Sequence, residues 1–247
     1  MRLLRFACLV ALAPVATASS GTAGARAPVD ACVPQSLRSH ALSFRASDGI
    51  RLAGLELGKG AKGVVLAHEL NASLCNWLPF ARTLAARGFH VLLFDERGAG
   101  KSAFVSYPQS DQLHRDVLGA VRELRRRGAQ RFVLGGASAG GTGALTAAPL
   151  IGKALAGVAA LSSPATYSDL DAKAAVARVH APGFFAVATA DTRFAADVKA
   201  LYQASPAHEK QLELVDGFSH GTELLTGREG ASMRPKLLGF ITAALRS

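Results

Sequence analysis

The residues whose types and spacing point most directly to chemistry lie in the run Gly135-Gly136-Ala137-Ser138-Ala139-Gly140-Gly141. The run contains the pattern Gly-x-Ser-x-Gly, and it stands between an apolar stretch typical of a strand and an alanine-rich stretch typical of a helix. A serine in a tight strand-to-helix turn presents its hydroxyl above the sheet edge, and glycine two residues away on each side makes room for that turn. The N–H of Ala139 would then point to where an oxyanion forms. A phosphate-binding loop is disfavoured, because no Lys-Ser/Thr follows the glycines.

A serine hydroxyl becomes a good nucleophile only beside a base, so a histidine is expected near Ser138 in space. His220 follows the last apolar strand, in a loop with glycines, at the edge of the sheet where open α/β sheets place their sites. His180 precedes a strand and His208 lies in a polar stretch, so both are weaker candidates. We therefore predict His220 as the base.

The base needs a carboxylate that orients it, and this acid is expected after the preceding strand. Asp191 ends the run Phe184–Asp191, which is apolar over its first five residues. Asp216 is the alternative acid because it is close to His220 in sequence, although it could equally cap the turn after its strand. We predict Asp191.

The end of the first buried strand, Val65–Asn71, is expected on the other side of the site. We predict that the N–H of Leu70 is the second oxyanion donor. His68 is expected to be a structural hydrogen-bonding group that lines the site. Glu69 has two interpretations: a carboxylate that holds Ser138 or a cationic substrate group, or a surface side chain turned to water.

The positioning elements follow from the alternation of apolar strand patterns with helical patterns in a chain of 247 residues, 49% of them apolar. This alternation predicts one α/β domain with a mostly parallel sheet of about eight strands, covered by helices on both faces. The strands are predicted at 41–45, 50–57, 63–67, 90–94, 131–135, 157–161, 184–188 and 212–215, and the helices at 76–87, 111–127, 139–151, 194–204 and 235–246.

The chain begins with the features of a signal peptide, predicted over 1–18. Basic residues open the chain, an apolar run too short to span a bilayer follows, and Ala16-Thr17-Ala18 offers a cleavage site. Ala23-Gly24-Ala25 is a second cleavage site, and a buried N-terminal helix is the alternative. Residues 19–37 are predicted to be an irregular lead-in, and 38–247 the domain. We therefore expect an exported protein, periplasmic or secreted.

The cysteines and the net charge bear on the cellular compartment and on the partners of the protein. Cys8 would leave with the signal peptide, and no lipoprotein pattern precedes it, so no stable membrane anchor is expected. Cys32 and Cys75 form an even pair that predicts one disulfide in an oxidising compartment, with two buried free thiols as the alternative. The net charge of +10 is dispersed along the chain without a nucleic-acid-binding motif, so no nucleic-acid partner is expected. No pattern indicates the oligomeric state.

These segments together resemble the α/β-hydrolase superfamily over roughly residues 40–247. The run from Asp95 to Ser102, Asp-x-Arg-Gly-x-Gly-x-Ser, is similar to the ester and peptide hydrolase branch. The pair His68-Glu69 is similar to the dienelactone hydrolase branch, where the glutamate contacts a cysteine nucleophile; this chain has Ser138. The elbow Gly136–Gly140, Asp191 and His220-Gly221 carry the rest of the resemblance.

The resemblance implies acyl transfer by a serine nucleophile, with no metal and no cofactor. The short stretch between the strand that ends near 163 and the strand that begins near 184 predicts no large cap domain and an open site for small substrates. We expect cleavage of carboxylic esters. The alternatives are a serine peptidase or amidase acting on short peptides, and a catalytically silent binding protein that keeps the fold.

Overall fold

The computed structural model describes residues 27–246, and an α/β sandwich occupies most of that range. Its strands are β1 (Ala41–Arg45), β2 (Arg51–Leu57), β3 (Lys62–Ala67), β4 (His90–Asp95), β5 (Arg131–Ala137), β6 (Leu155–Leu161), β7 (Thr166–Tyr167), β8 (Leu170–Asp171), β9 (Gly183–Ala188) and β10 (Lys210–Val215). Eight of them form one sheet in the order β1-β2-β4-β3-β5-β6-β9-β10, and β7 and β8 pair separately. The predicted α/β fold with about eight strands is confirmed.

The helices cover both faces of this sheet. They are α1 (Leu78–Ala86), α2 (Leu113–Arg126), α3 (Ser138–Ala147), α4 (Ala172–Val176), α5 (Thr192–Ala204), α6 (Glu223–Thr226) and α7 (Gly230–Ala244). Helices α1, α6 and α7 pack on one core, and α2, α3, α4 and α5 pack on the other. Along β3, Val64 and Leu66 belong to the first core, and Val65 and Ala67 to the second. A strand buried on both faces in this way reads as a continuous apolar run.

The pairing of the strands decides where the site must lie. In the eight-stranded sheet, β2 runs antiparallel to its neighbours, β1 and β4, and the pairs from β4 to β10 are parallel. In register, Ala67 lies opposite Gly136, Ala137 opposite Leu161, and Val215 opposite Ala188. The loops that follow β3, β5, β9 and β10 therefore open at one edge of the sheet.

Two segments differ from the sequence-based prediction. Helix α7 begins at Gly230, five residues before the predicted start, and carries Pro235 in its interior. A proline is common in a first helical turn, but here the ring lies inside the helix, on an exposed face where the lost hydrogen bond is least costly. The stretch 162–182 holds the unpredicted β7, β8 and α4, and no large cap domain.

The predicted lead-in, 19–37, is described only from residue 27, and the predicted signal peptide lies outside the described residues. A 3-10 helix, Gln35–His40, runs across the predicted boundary at 37/38. Val33 is buried in the first core, and Cys32 is joined to Cys75 by a disulfide with 6.0 Å between the Cα atoms. Residues 32–40 are thus attached to the domain. No helix within 27–246 has the length and apolarity needed to cross a bilayer.

Candidate active site

The turn between β5 and α3 has the strained backbone that the glycine pattern predicts. Ser138 has φ +48°, a conformation that costs a residue with a side chain about 1–2 kcal/mol. A Cβ on Gly136 would lie 2.5 Å from the carbonyl oxygen of Gly140, and a Cβ on Gly140 would lie 2.7 Å from Oε1 of Glu96. Both glycines are therefore required by close approach of the chain to itself. The turn places Ser138, 7% exposed, at the start of α3.

His220 and Asp191 meet at the same edge of the sheet. Nδ1 of His220 lies 2.7 Å from Oδ2 of Asp191, and the two side chains are 31% and 13% exposed. Asp191 stands immediately before α5, but its carboxylate makes no capping bond with that helix. In the first turn of α5, the ring of Phe194 packs on the imidazole with 4.3 Å between the ring centroids. The imidazole is thus held by a hydrogen bond and by a ring.

The loop that carries His220 is fixed on both sides. Ser219 donates a hydrogen bond of 2.6 Å to Glu229, and the main chain of Gly217 accepts one from Ala190. A Cβ on Gly221 would lie 3.4 Å from the Cβ of Ala137, so the residue after His220 lies close to the residue before Ser138. This proximity places the loop of the predicted base beside the turn of the predicted nucleophile.

Asp216, the alternative acid, has a different partner. Its Oδ1 lies 3.4 Å from the hydroxyl of Thr189, whereas the short contact of His220 is with Asp191. The geometry favours Asp191 as the orienting acid. His180 and His208 lie elsewhere, before β9 and before β10, at the opposite ends of their strands.

His68 is buried and holds the backbone around the predicted oxyanion donor. Its Nε2 accepts a hydrogen bond of 3.0 Å from the N–H of Glu96, so Nδ1 carries the proton that it donates to the carbonyl of Glu69 at 2.7 Å. Burial lowers the pKa of the His68 imidazole, which favours this neutral form. The N–H of Leu70 points opposite to that carbonyl in a planar trans peptide, so His68 fixes its direction.

Glu69 does not turn its carboxylate to water. Its Oε1 accepts hydrogen bonds from Thr222 at 2.5 Å and from Asn76 at 3.0 Å. Its Oε2 is buried without a hydrogen-bond partner, 3.4 Å from where a Cβ on Gly221 would lie. The carboxylate thus links the end of β3 to the loop of His220.

The loop after β4 is held by a buried network of ion pairs. Arg97 contacts Asp116 through Nε at 2.8 Å and Asp48 through both terminal nitrogens at 2.9 Å. The guanidinium is therefore fully engaged by two carboxylates. Its neighbour Glu96 is 3% exposed, and burial raises the pKa of this carboxyl well above its usual value, with the nearby carboxyls of Asp116 and Glu69 adding to the effect.

A cavity of about 520 Å³ opens beside the turn. Its lining includes Leu70, His68, Glu96, Leu113 and Tyr167. Among residues 27–246, no group of three or more His, Cys, Asp and Glu side chains is arranged to hold a metal ion.

Sequence reasoning missed Phe194, Thr222 and the environment of Glu96. Phe194 stands three residues after Asp191, and an aromatic residue one helical turn from a predicted acid could have been noticed. Thr222 is 153 residues from Glu69, so no local signal joins them. The burial of Glu96 follows only from the packing of its loop against α3.

Solved structures of two esterases have the same fold as this chain. The esterase Pf2001 of Pyrococcus furiosus superposes with a TM-score of 0.69 at 18% identity, covering 82% of this chain and 91% of the esterase. An esterase of Thermogutta terrifontis superposes with a TM-score of 0.67 at 15% identity, covering 83% and 99%. With the sheet order and the serine turn already described, these superpositions show that the chain has the α/β-hydrolase fold.

Sequence comparisons match only about half of the chain. The model of the family described as "Serine aminopeptidase, S33" matches residues 59–176, a stretch that contains Ser138 but neither Asp191 nor His220. Epoxide hydrolase A of Mycobacterium tuberculosis is 36% identical over 120 residues, which are 48% of this chain and 37% of that relative. The chain thus matches little more than a third of the length of this relative.

Proposed function

We propose that the protein is a serine hydrolase that cleaves carboxylic esters through an acyl-enzyme. The observation that carries the proposal is the proximity of two loops: His220, hydrogen-bonded to Asp191, lies on a loop whose Gly221 is close to Ala137, the residue before Ser138. A nucleophile on a strained turn, a base next to it and an orienting acid are the three groups that acyl transfer requires.

The proposed cycle has two half-reactions. His220 takes the proton of the Ser138 hydroxyl through Nε2 while Oγ attacks the ester carbonyl, and the same proton then leaves with the alcohol. Asp191 holds Nδ1 and stabilises the imidazolium. The N–H groups of Ala139 and Leu70 receive the oxyanion, a contribution of roughly 3–4 kcal/mol per donor where such donors have been removed. A water activated by His220 then releases the acid.

Two other reactions are weighed against ester cleavage. The family described as serine aminopeptidase favours amide cleavage as the second candidate, which asks more of His220 because an amine leaves less readily than an alcohol. The relative named epoxide hydrolase suggests a third substrate class. Attack of Ser138 on an epoxide carbon would leave an ether on the enzyme, which water does not cleave as it cleaves an ester. Ser138 therefore supports acyl substrates.

A fluorophosphonate probe tests the proposal directly. We expect one adduct, on the peptide that contains Ser138, and loss of both labelling and ester turnover in Ser138→Ala. Ser162→Ala is a matched control, because Ser162 is buried, also has φ +48° and also follows a strand of the same sheet. An unlabelled Ser138 in folded protein would instead favour a silent binding protein, and turnover of amides at rates near those of esters would favour the second candidate.

We also propose that the protein is exported. The disulfide between Cys32 and Cys75 supports this, since such bonds persist in oxidising compartments. Cell fractionation with mass spectrometry of the mature N-terminus tests it; a cytosolic protein that still begins at Met1 would refute it. The proposed partners are a small ester or a short peptide as substrate.

A further inference from the structure

The cavity beside the serine turn has direct contact with the proposed catalytic machinery. Leu113 and Tyr167, which line it, pack with Ala139, the residue after Ser138. Leu70, the proposed second oxyanion donor, lines the same space. Its volume of about 520 Å³ lies within the range of small-molecule sites. Ser138, Asp191 and His220 are not among its lining residues, so the cavity would receive a part of the substrate next to Leu70 rather than the reacting carbonyl itself.

Glu96 differs from Arg97, which also lines the cavity, because its carboxyl has an oxygen without a hydrogen-bond partner. Arg97 is bonded to Asp48 and Asp116, so it has little capacity to bind anything else. Burial raises the pKa of the Tyr167 hydroxyl, and the carboxyl of Asp111 adds to the effect. The carboxyl of Glu96, although 3% exposed, has Oε1 buried without a hydrogen-bond partner. A buried polar group without a partner costs roughly 1–3 kcal/mol, so such a group calls for an explanation.

The surroundings of Glu96 determine whether its carboxyl is ionised or neutral when a substrate binds. It lies against Gly140, and its Oε2 is 3.9 Å from Nδ1 of His68, whose proton is already donated to the carbonyl of Glu69. Arg97, the cation of residues 27–246 that acts on the Glu96 carboxyl, is already paired with Asp48 and Asp116. A neutral carboxylic acid is the form that fits this place, and a neutral acid donates a hydrogen bond.

We propose that this cavity binds an oxygen-bearing group of the ester substrate, and that Glu96 is a specificity-determining residue that donates a hydrogen bond to that oxygen. The inference rests on the proposed function. Because Oε1 is enclosed against Gly140, the oxygen that would donate is Oε2, whose contact with Nδ1 of His68, at 3.9 Å, is too long for a hydrogen bond. An ether, hydroxyl or carbonyl oxygen of the substrate would accept that hydrogen bond, while a methylene in the same place would leave Oε2 unpaired. The chemical class is therefore a short ester with an acceptor oxygen in its acyl or alcohol part.

Matched ester pairs test the proposal. The acyl pair is 4-nitrophenyl methoxyacetate and 4-nitrophenyl butyrate; the alcohol pair is 2-methoxyethyl acetate and butyl acetate. The measured quantity is the ratio of kcat/KM within a pair, divided by the ratio for hydrolysis by hydroxide, which removes intrinsic reactivity. We expect wild type to favour the oxygen-bearing member of at least one pair by about five- to tenfold, the range of one neutral hydrogen bond.

Two nearly isosteric variants separate the hydrogen bond from packing. Glu96→Met keeps the length and removes the donor, so the preference should disappear; Glu96→Gln keeps an N–H donor and should retain it within about twofold. Glu209→Met, at an exposed position distant from the cavity, is the control and should leave the ratio unchanged.

The outcomes distinguish this inference from the proposed function. No preference in wild-type enzyme, a measurement that needs no variant to fold, overturns the role of Glu96, and so does a preference that survives in Glu96→Met. An equal fall of both members of a pair in Glu96→Met also overturns it, because a merely structural residue would act that way. Absence of all ester turnover and of labelling at Ser138 refutes the proposed function itself.

Discussion

Substitution of Gly140 by alanine is the sharpest test of the geometry of the serine turn. The new Cβ would lie 2.7 Å from Oε1 of Glu96 and 2.9 Å from the carbonyl carbon of Ala67, and it would collide with the carbonyl oxygen of His68. Two of these atoms are backbone at the buried end of β3, so no flexible side chain can move away. Overpacking of this kind costs about 1–3 kcal/mol, and we expect a loss of about 2 kcal/mol in the free energy of unfolding.

The same substitution should also slow turnover. Helix α3 must move by a few tenths of an ångström to admit the methyl group, and Ser138 and Ala139 move with its first turn. A displacement of 1 Å at a reacting group can cost about a hundredfold, so we expect kcat for an aryl ester to fall by about ten- to a hundredfold.

Urea denaturation and steady-state kinetics measure the two effects. The matched control is Gly239→Ala, on an exposed face of α7 where no atom lies within 4 Å of the new Cβ. That variant should be more stable than wild type by about 0.5–1 kcal/mol and equally active, since alanine is favoured over glycine in a helix. If Gly140→Ala unfolds at the same urea concentration as wild type and turns over normally, the close packing described for the turn is wrong.

Three further predictions concern the surroundings of the site. Phe194→Ala removes the ring that packs on His220, so kcat should fall by about tenfold in ester kinetics, and an unchanged kcat would show that Asp191 alone orients the imidazole. Burial raises the pKa of Asp95 to about 6, and the carboxyl of Asp30 adds to the effect. The contribution of Asp95 to the free energy of unfolding is thus complete below about pH 4 and is lost as the pH rises through 6. Asp30→Asn should make this loss smaller in urea titrations at several pH values. A pH dependence identical to that of wild type would contradict the prediction. Reduction of the disulfide, which spans 43 residues, should lower the free energy of unfolding by about 4 kcal/mol in the chain-entropy estimate, and an unchanged Tm under reductant would refute this.

The fold was largely predictable because its strands are apolar on both faces. Strand β4, His-Val-Leu-Leu-Phe-Asp, is buried at every position, and such a run admits few other interpretations. Helix α2 is similarly clear, with its buried residues at helical spacing and Gly128 just beyond its end. Where the sequence signal is weak, prediction failed: β7, β8 and α4 are two to five residues long, shorter than any periodic pattern needs.

The candidate site was predictable only where a residue type is tied to a strand end. Ser138, Asp191 and His220 each follow a parallel strand, so the topology brings their loops to one edge before any contact is known. The side chains that hold those loops have no such rule. Glu69 accepts a hydrogen bond from Thr222, which is 153 residues away in sequence. Phe194 contacts His220 only because α5 begins directly after Asp191. These contacts depend on packing, which a single sequence does not encode locally.

His68 shows how a polar residue at a strand end can serve a site without touching a substrate. Both of its ring nitrogens are already used, one by the N–H of Glu96 and one by the carbonyl of Glu69, so no nitrogen is left to act as a base. What the ring does is fix two peptide groups, one that orients the N–H of Leu70 and one that begins the loop of Glu96. A single buried imidazole therefore couples the proposed oxyanion donor to the proposed specificity residue, and a change that repositions it would disturb rate and selectivity together.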